Sequence, residues 1–424
     1  MANKPRIGIF GCWRGLAMAK YVSSSGGEIV AVCDHNPARL EDGKKYLVEG
    51  GVAYSNFDEF INHEMDGVYV ANYFDQHVPY VIRLMERGIN VCIEPICGST
   101  MAQIVELVRA VEKYRDRAFF MFGENYQYTP AIQEMKRIYQ SGKLGDLLYA
   151  HGEYVHPASA AERTRLAPGP NHWRNSLPST YYNSHSLAPL MYVTDTMPKV
   201  VMAQAVHSED YHRGVARMAD PFGVMMTQMD NGTVFTTTGC VSGSVHGNWY
   251  RFACFRGGME TVRYDESVIA VRYNSFAKPE GEPRYNAYTP EPPFDADKSR
   301  GSGHGGADYF VVREFIRCIE EGTQPYNDVY RGVAMASVAI LGWRSVLEGG
   351  VPYAIPDFHD EKELLKWEKD TRSPFLDANG SRTLPSMVRQ DWTINPEDAA
   401  AAKAIWDDPK LFTDYSWPGK ELGK

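Results

Sequence analysis

The chain has 424 residues, of which 44% are hydrophobic and 23% are charged, a composition typical of globular proteins that argues against disorder. Lys and Arg total 44 against 53 Asp and Glu, so the formal charge of −9 excludes a nucleic-acid binder held by excess positive charge. Apolar runs are too short to span a bilayer, no secretory signal is visible, and the seven cysteines include no Cys-x-x-Cys pair. We therefore expect a cytoplasmic protein with reduced thiols and no membrane partner.

Short apolar strands alternate with helices in the first part of the chain. The predicted strands are 6–10, 28–33, 67–71, 90–94 and 117–122. The predicted helices are 14–23, 37–48 (with Asn36 as a cap), 77–88 and 101–114. This alternation predicts an α/β fold that begins with a Rossmann domain over residues 1–125, a parallel sheet with helices on both faces.

The pattern changes after residue 125. The predicted elements are a helix over 129–141, a strand over 147–156, several strands between 200 and 271, and helices over 306–321 and 329–348. Two stretches without a period, 157–180 and 275–303, are expected to be loops. We expect an α+β domain over 126–358, with an open, mainly antiparallel sheet that supports the substrate and a homo-oligomer interface. Residues 359–424 are expected to wrap over the surface.

A glycine turn follows the first strand, in Gly8-Ile-Phe-Gly11-Cys12-Trp13-Arg14-Gly15. The full G-x-G-x-x-G is not present, but such a turn lets backbone amides and a helix N-terminus meet a pyrophosphate. Asp34 closes the second strand, where a carboxylate can accept hydrogen bonds from both ribose hydroxyls. This favours NAD over NADP, although Arg39 could pair with a 2′-phosphate. A helix-capping or turn-forming Asp34 is the alternative.

Two further strand ends carry polar side chains. Asn72 and His77 follow the third predicted strand, and Glu94, before Pro95, closes the next one. Ligands of open parallel sheets bind at the carboxyl ends of the strands, so these residues are expected near the cofactor. A helix cap at Asn72 and an exposed loop carboxylate at Glu94 are the alternatives.

These segments, together with Gly142-Lys-Leu-Gly145, resemble the Gfo/Idh/MocA oxidoreductases over residues 5 to 358. Members commonly carry Glu-Lys-Pro where this chain has Glu94-Pro95, and the lysine helps to move the proton of the oxidised hydroxyl. The missing lysine argues against a plain lysine-assisted dehydrogenase mechanism.

Three other segments resemble the NAD-dependent glycosidase branch of that family, known for cleaving α-N-acetylgalactosaminides. They are Glu124-Asn125-Tyr126-Gln127-Tyr128, Asn171–Arg174 with Tyr181–Pro189, and His304–Tyr309. The resemblance implies a reaction centre of Tyr128, Tyr182 and His185. The residues expected at the cofactor are Gly11, Cys12, Trp13, Arg14, Asp34, Asn72, His77, Glu94 and Asn125. Those expected at the sugar are Glu94, Tyr128, His172, Trp173, Arg174, His304 and Asp308.

The spacing of the reaction-centre residues makes physical sense. Tyr182 and His185 are three residues apart, so on a helix they project from one face. A histidine near neutral pKa can take a hydroxyl proton while hydride leaves the same carbon. The alternatives are a hydrogen-bonded helix histidine, packing for the tyrosines, and a core position for Trp173.

Cationic side chains are frequent in the loop before this centre: His156, Arg163, Arg165, His172 and Arg174. They could hold an anionic substituent of the substrate. The alternative, a solvated loop with salt bridges, is favoured for Arg163 and Arg165. No metal is expected, because no cluster has ligand spacing, and Cys92 and Cys97 are more simply explained as buried residues.

The resemblance implies an enzyme that cleaves a glycoside by transient C3 oxidation with NAD, C1–C2 elimination, water addition and re-reduction. His185 would take the hydroxyl proton, Tyr182 would hydrogen-bond the developing ketone, and Tyr128 or a neighbour would remove the C2 proton. One alternative is an NAD-dependent sugar dehydrogenase that releases a keto-sugar and NADH. Another is a non-catalytic sugar or cofactor sensor.

Overall fold

The computed structural model describes residues 4–240, 245–377 and 379–408. Its N-terminal part is a six-stranded parallel sheet in the order β3-β2-β1-β4-β5-β6. The strands are β1 Arg6–Phe10, β2 Glu28–Cys33, β3 Val52–Tyr54, β4 Gly67–Val70, β5 Asn90–Ile93 and β6 Phe120–Phe122. The predicted parallel sheet is confirmed. The sequence patterns missed β3, a three-residue edge strand that is only partly buried.

Helices connect these strands. They are α1 Arg14–Ala19, α2 Pro37–Lys44, α3 Phe57–Phe60, α4 His77–Glu86 and α5 Met101–Tyr114. The side chain of Asn36 caps α2, as predicted, by accepting hydrogen bonds from the amides of Ala38 and Arg39. Thr100 caps α5 in the same way, and this helix buries its apolar face against the core.

The second part of the chain is built on a nine-stranded sheet in the order β14-β13-β12-β11-β7-β10-β9-β8-β15. Its strands are β7 Leu147–Val155, β8 Pro198–Val206, β9 Phe222–Met229, β10 Val234–Cys240, β11 Gly247–Cys254, β12 Gly257–Val262, β13 Asp265–Tyr273, β14 Tyr285–Tyr288 and β15 Tyr353–Ala354. All neighbouring strands are antiparallel except β7 and β10, which are parallel. The predicted open, mainly antiparallel sheet is confirmed. The expected loop over 275–303 contains the edge strand β14.

The remaining helices follow in the second part of the chain. They are α6 Pro130–Gln140, α7 Ala160–Arg165, α8 Ser184–Thr194, α9 Glu209–His212, α10 Ala296–Ser299, α11 Ala307–Glu321, α12 Val329–Leu347, α13 Glu361–Trp367 and α14 Pro396–Trp406. Helix α12 is almost fully buried and contacts β8 of one sheet and β6 of the other. The two sheets therefore share one hydrophobic core. No helix in the described part of the chain is both long and apolar enough to cross a membrane.

Two expectations for the middle of the chain are wrong in detail. The stretch expected to be a loop contains α7, which begins with a capping box between Ser159 and Glu162. Tyr182 and His185 do not share a helix, because Tyr182 ends a 3₁₀ turn and α8 begins only at Ser184. The two rings are nevertheless neighbours, with centroids 5.6 Å apart.

The tail crosses the surface of both domains. Residues 409–424 of the expected segment 359–424 lie outside the described residues. Asp370 forms a two-pronged ion pair with Arg344, with both N–O distances 2.6 Å. Farther along, the Trp406 indole donates hydrogen bonds to the carbonyls of Thr164 and Ala167, at 3.2 and 3.0 Å. The tail thus joins α12 to the loop around α7.

Candidate active site

The expected cofactor turn follows β1 and lies beside the ends of β2 and β4. Gly11 has a φ of +94°, and a Cβ at this position would lie 2.5 Å from the carbonyl oxygen of Ala71, so only glycine fits. Asp34 accepts a hydrogen bond from the Cys12 amide at 2.7 Å and another from the Asn36 amide at 2.8 Å. The carboxylate is buried and fixed at the carboxyl edge of β2. Trp13 lies beside it, with Arg39 stacked over its ring.

Asn72 and His77, both expected at the cofactor, have different surroundings. Both amide atoms of the Asn72 side chain are buried without a hydrogen-bond partner among the described residues. His77 is fully buried, with its ring nitrogens 3.1 and 3.3 Å from the carbonyl oxygens of Asn72 and Ile96. Burial lowers the pKa of His77 to about 4. Asn72 therefore offers a polar group to a ligand, whereas His77 holds the backbone of its own turn.

Arg14 connects the glycine turn to the C-terminal domain. Its two Nη atoms donate to the carboxylate of Asp308 at 3.1 and 2.9 Å, and its Nε lies 3.2 Å from Oε1 of Glu94. The Tyr69 hydroxyl donates to the same Glu94 oxygen at 2.5 Å. Burial opposes the charge of Asp308, but the ion pair with Arg14 and contact with His304 hold its pKa far below the usual value.

Two other expected residues join this centre. Asn125 donates from Nδ2 to Asp308 at 3.0 Å, and Nδ1 of His304 lies 3.0 Å from the same carboxylate. Asp308 itself is buried, and a Cβ on Gly303 would lie only 2.2 Å from its Oδ2. This network around Arg14 thus brings together the glycine turn, the end of β5 and the start of α11.

His185 lies in a second cluster at the end of β6. Its Nδ1 is 2.7 Å from Oε1 of Glu124, a fully buried carboxylate that also accepts hydrogen bonds from the amides of Asn125 and Tyr126. Burial opposes the charge of Glu124, but the His185 imidazole and the Tyr126 amide keep its pKa below the usual value. An ionised carboxylate only accepts, so Nδ1 of His185 carries a proton, and in the neutral imidazole Nε2 is the nitrogen with the lone pair.

Three tyrosines surround the His185 ring. The ring centroid of Tyr154 lies 4.7 Å from it, that of Tyr126 5.0 Å, and that of Tyr182 5.6 Å. Tyr126 also contacts His304, with centroids 5.5 Å apart, and so links the two clusters. Of the three tyrosines, Tyr182 alone is partly exposed, and Nη1 of Arg174 lies 3.3 Å from its hydroxyl.

Tyr128 does not take the place expected for a reaction-centre residue. Its ring is buried in the core, 6.1 Å from that of Tyr192, and it packs with residues of α11. In the 3₁₀ turn Tyr126–Tyr128 the two phenols diverge, and Tyr126 is the one at His185. The prediction for Tyr128 as a catalytic and sugar-contacting residue therefore does not fit the geometry.

His172 and Trp173 pack rather than face the centre. The Trp173 ring lies 4.7 Å from Phe74 of the Rossmann domain, and the His172 ring stacks on Trp173 and contacts Tyr73. Nδ1 of His172 accepts a hydrogen bond from the Arg174 amide at 3.2 Å. Both aromatic residues thus fix the position of Arg174 at the junction of the two domains.

The sequence patterns missed the partner of His185. The motif Glu124–Tyr128 predicts no role for Glu124, yet this residue lies just beyond the end of β6, as Asp34 does after β2 and Glu94 after β5. A carboxylate within two residues of the end of three of the six strands is the signal that could have identified it. Tyr154, which alternates with outward-facing residues along β7, carried no such signal.

The residues present fit a nicotinamide dinucleotide. The closely packed Gly11 turn, the buried Asp34 and the unpartnered amide of Asn72 all lie at the carboxyl ends of parallel strands. Among the described residues, no three His, Cys, Asp or Glu side chains come together as metal ligands do. Cys92 and Cys97 are fully buried in different core clusters.

Comparison with known proteins gives two family matches. Residues 5–122 match the model "Oxidoreductase family, NAD-binding Rossmann fold", the Gfo/Idh/MocA family, and residues 294–364 match "Glycosyl hydrolase 109, C-terminal domain". A glycosyl hydrolase family 109 protein of Phocaeicola vulgatus is 23% identical over 98% of this chain and 84% of its own length. An α-N-acetylgalactosaminidase of Bacteroides fragilis is 23% identical over 81% of this chain and 88% of its own length.

Solved structures agree with the fold. Levoglucosan dehydrogenase in complex with NADH superposes with a TM-score of 0.70 at 16% identity, covering 84% of this chain and all of the other. An oxidoreductase of Agrobacterium radiobacter, solved with NAD⁺, gives a TM-score of 0.67 at 13% identity, covering 83% and 99% of the two chains. The resemblance predicted from sequence is confirmed: residues 5–122 are similar to the NAD-binding Rossmann fold of the Gfo/Idh/MocA oxidoreductase family, and residues 294–364 are similar to the C-terminal domain of glycosyl hydrolase family 109.

Proposed function

We propose that the protein is an NAD-dependent glycosidase that oxidises its sugar transiently at C3. The observation that carries the proposal is the pair Glu124–His185, in which Glu124 holds Nδ1 and leaves Nε2 of the imidazole near the carboxyl edge of an NAD-binding sheet. Relatives named glycosyl hydrolase family 109 proteins and an α-N-acetylgalactosaminidase support a glycoside substrate. We take an α-N-acetylgalactosaminide as the first substrate to test.

The first step is a proton transfer to His185. NAD, when bound, accepts a hydride from a sugar carbon and later returns it. Nε2 of His185 takes the C3 hydroxyl proton, and the buried carboxylate of Glu124 stabilises the imidazolium that forms. This division of roles needs no lysine beside Glu94, where Arg14 instead forms the ion pair.

The second step removes the proton at C2, which the C3 ketone has made acidic. With Tyr128 in the core, we assign this proton to Tyr182, acting as a phenolate that the guanidinium of Arg174 stabilises. Loss of the C2 proton expels the group at C1 as its alkoxide or phenolate and leaves a C1–C2 double bond. Water then adds at C1, and the proton that it releases neutralises the departed oxyanion. Tyr182 returns a proton to C2, and His185 returns its proton as C3 is reduced.

The second candidate is a sugar dehydrogenase that releases NADH. The fold shared with levoglucosan dehydrogenase favours it, while the match to the glycosyl hydrolase 109 C-terminal domain favours the glycosidase. The two differ in their products, because a dehydrogenase accumulates one NADH per keto-sugar and a glycosidase of this type accumulates none.

The test is to incubate the protein with NAD⁺ and aryl α-N-acetylgalactosaminide in D₂O. We expect aglycone release without net growth of absorbance at 340 nm, and deuterium at C2 of the released sugar. His185→Gln should abolish both, whereas His359→Gln, at an exposed tail position, should not. Stoichiometric NADH without aglycone would contradict the glycosidase and support the dehydrogenase. A protein that binds NAD and sugar without any turnover would be the sensor.

We further propose a cytoplasmic homo-oligomer. Cys12, Cys33, Cys92, Cys97, Cys254 and Cys318 are buried, unoxidised thiols, which supports a reducing compartment. The face of the nine-stranded sheet turned away from the helices exposes Leu148, Val224 and Met226, an apolar surface that a second copy would cover. Light scattering of the purified protein tests the assembly.

A further inference from the structure

A group of arginines at the domain junction has no acidic partner. The group consists of Arg39, Arg163, Arg174 and Arg217, and we refer to it as the arginine cluster. In the part of the chain that the structure describes, none of the four forms a salt bridge, and each has a buried Nε without a hydrogen-bond partner. Arg217 is only 4% exposed, and one of its Nη atoms is also buried and unpartnered.

The members of the arginine cluster are held close together. The Met218 amide donates to the carbonyl of Asn175 at 2.7 Å, which joins the segment that carries Arg217 to the segment that carries Arg174. Arg163 and Arg217 both face the Tyr211 ring, with Cζ 4.2 and 5.8 Å from its centroid. Arg39 lies on the cofactor side, with its Cζ 5.0 Å from the centroid of the Trp13 ring. In agreement with this arrangement, burial and the charges of Arg174, Arg39 and Arg217 lower the pKa of His172 to about 3.

Among the described residues, the other fully buried arginine is paired: Arg344, 1% exposed, is held by both oxygens of Asp370. The partly buried Arg14 is likewise held by Asp308 and Glu94. A buried guanidinium without a counterion is unfavourable, and the chain carries a net charge of −9, so acidic residues are not scarce. The arginine cluster is an exception that calls for a counterion from outside the described residues.

We propose that the arginine cluster binds an anionic group, a carboxylate, sulfate, sulfonate or phosphate, carried by the glycoside substrate. The inference rests on the proposed function, because the same Arg174 also touches Tyr182 of the reaction centre. The alternative source is the 2′-phosphate of NADP. Asp34 opposes it, because its carboxylate, bound by two backbone amides, would lie beside that phosphate.

The first test measures anion binding without turnover. Sodium sulfate is titrated into the NAD-loaded protein against sodium chloride at equal ionic strength, and the midpoint of thermal unfolding is followed. We expect a saturable rise for the wild type that is lost in Arg217→Gln and weakened in Arg39→Gln. It should persist in Arg165→Gln, the exposed arginine beside Arg163. Arg39→Gln, at a partly exposed position, covers the case that the buried variant misfolds. A wild type indifferent to sulfate would overturn the proposal.

The second test identifies the source of the anion. Aryl glycosides that carry a 6-carboxylate, 6-sulfate or 6-phosphate are compared with their neutral counterparts. We expect at least a tenfold preference in kcat/KM for one anionic series, lost in Arg217→Gln. Cleavage without any preference leaves the glycosidase standing and overturns this inference. Sulfate binding without cleavage of any glycoside supports the anion site and overturns the glycosidase. Tighter binding of NADP⁺ than NAD⁺ that depends on Arg217 would overturn the substrate assignment.

Discussion

Nδ1 of His185 donates a hydrogen bond to Oε1 of Glu124 at 2.7 Å, and three tyrosine rings surround the imidazole. The carboxylate cannot move away, because the amides of Asn125 and Tyr126 hold the same oxygen. The histidine is therefore fixed in one tautomer before any substrate arrives. Such preorganisation lets a weak base act without reorganising its surroundings.

Glu124→Gln is expected to lower kcat about 100-fold or more while KM changes less than about threefold. The glutamine amide can donate to Nδ1 and so place the proton on Nε2, where it blocks the base. Steady-state kinetics across pH 5 to 9 would measure the effect. Glu363→Gln, on the surface helix α13, is the matched control and should keep the wild-type profile. An unchanged profile in Glu124→Gln would remove the positioning role.

Tyr182→Phe and Tyr128→Phe separate the two assignments for the C2 proton. Removing the Tyr182 hydroxyl, which contacts Arg174, should lower aglycone release about 100-fold. It should also slow deuterium exchange at C2 by the same factor. Tyr128→Phe should stay within about threefold of wild type, because this phenol lies in the core. If Tyr128→Phe lost the exchange and Tyr182→Phe kept it, the assignment would be reversed.

Asp308→Asn tests the ion pair with Arg14 through stability. The native pKa of Asp308 lies far below its unfolded value of about 4, so its ionised form stabilises the fold above that pH, and the contribution is lost as pH falls. We expect the variant to lose about 3 kcal/mol at pH 7, because Asp308 is buried and its loss leaves Arg14 with Glu94 alone. The difference from wild type should shrink progressively below about pH 4. Urea unfolding at pH 7, 5 and 3.5 measures it.

The control for that series is Asp58→Asn. Asp58 pairs with Arg83 on the surface, where ion pairs contribute under about 1 kcal/mol. A loss at Asp308 that is independent of pH would mean that packing, and not charge, is responsible.

Asp34→Asn should change cofactor choice. The substitution keeps one oxygen acceptor for a backbone amide and removes the charge that repels a 2′-phosphate. We expect NAD⁺ to bind about tenfold more weakly and the ratio of the NADP⁺ to NAD⁺ dissociation constants to fall by at least that factor. Calorimetric titration of both cofactors measures it. Unchanged affinities would show that Asp34 only shapes the turn.

Much of the fold was predictable because its parallel strands are short and apolar and each ends at a polar or glycine residue. β2 runs as an unbroken apolar segment into Asp34, and β5 into Glu94, so both strand and strand end are visible in the chain. β3 was not predicted, because a half-exposed edge strand of three residues has no such pattern.

The site was predictable only as far as the strand ends and motifs reached. The sequence could not decide between Tyr126 and Tyr128, because two residues apart in a 3₁₀ turn they point in different directions, and only tertiary packing selects one. Arg217 was missed for a different reason. Its surroundings depend on the backbone hydrogen bond between Met218 and Asn175, which joins segments distant in the chain and cannot be predicted from a local sequence pattern.

The hydrogen bonds from the Trp406 indole to the carbonyls of Thr164 and Ala167 have a consequence for how the enzyme can diverge. They hold the last described helix, α14, against helix α7, which bears Arg163. Substitutions in α14 can therefore shift Arg163 of the arginine cluster without changing the Glu124–His185 pair. A preference for different glycosides can therefore evolve through changes in α14 that leave the reaction itself unchanged.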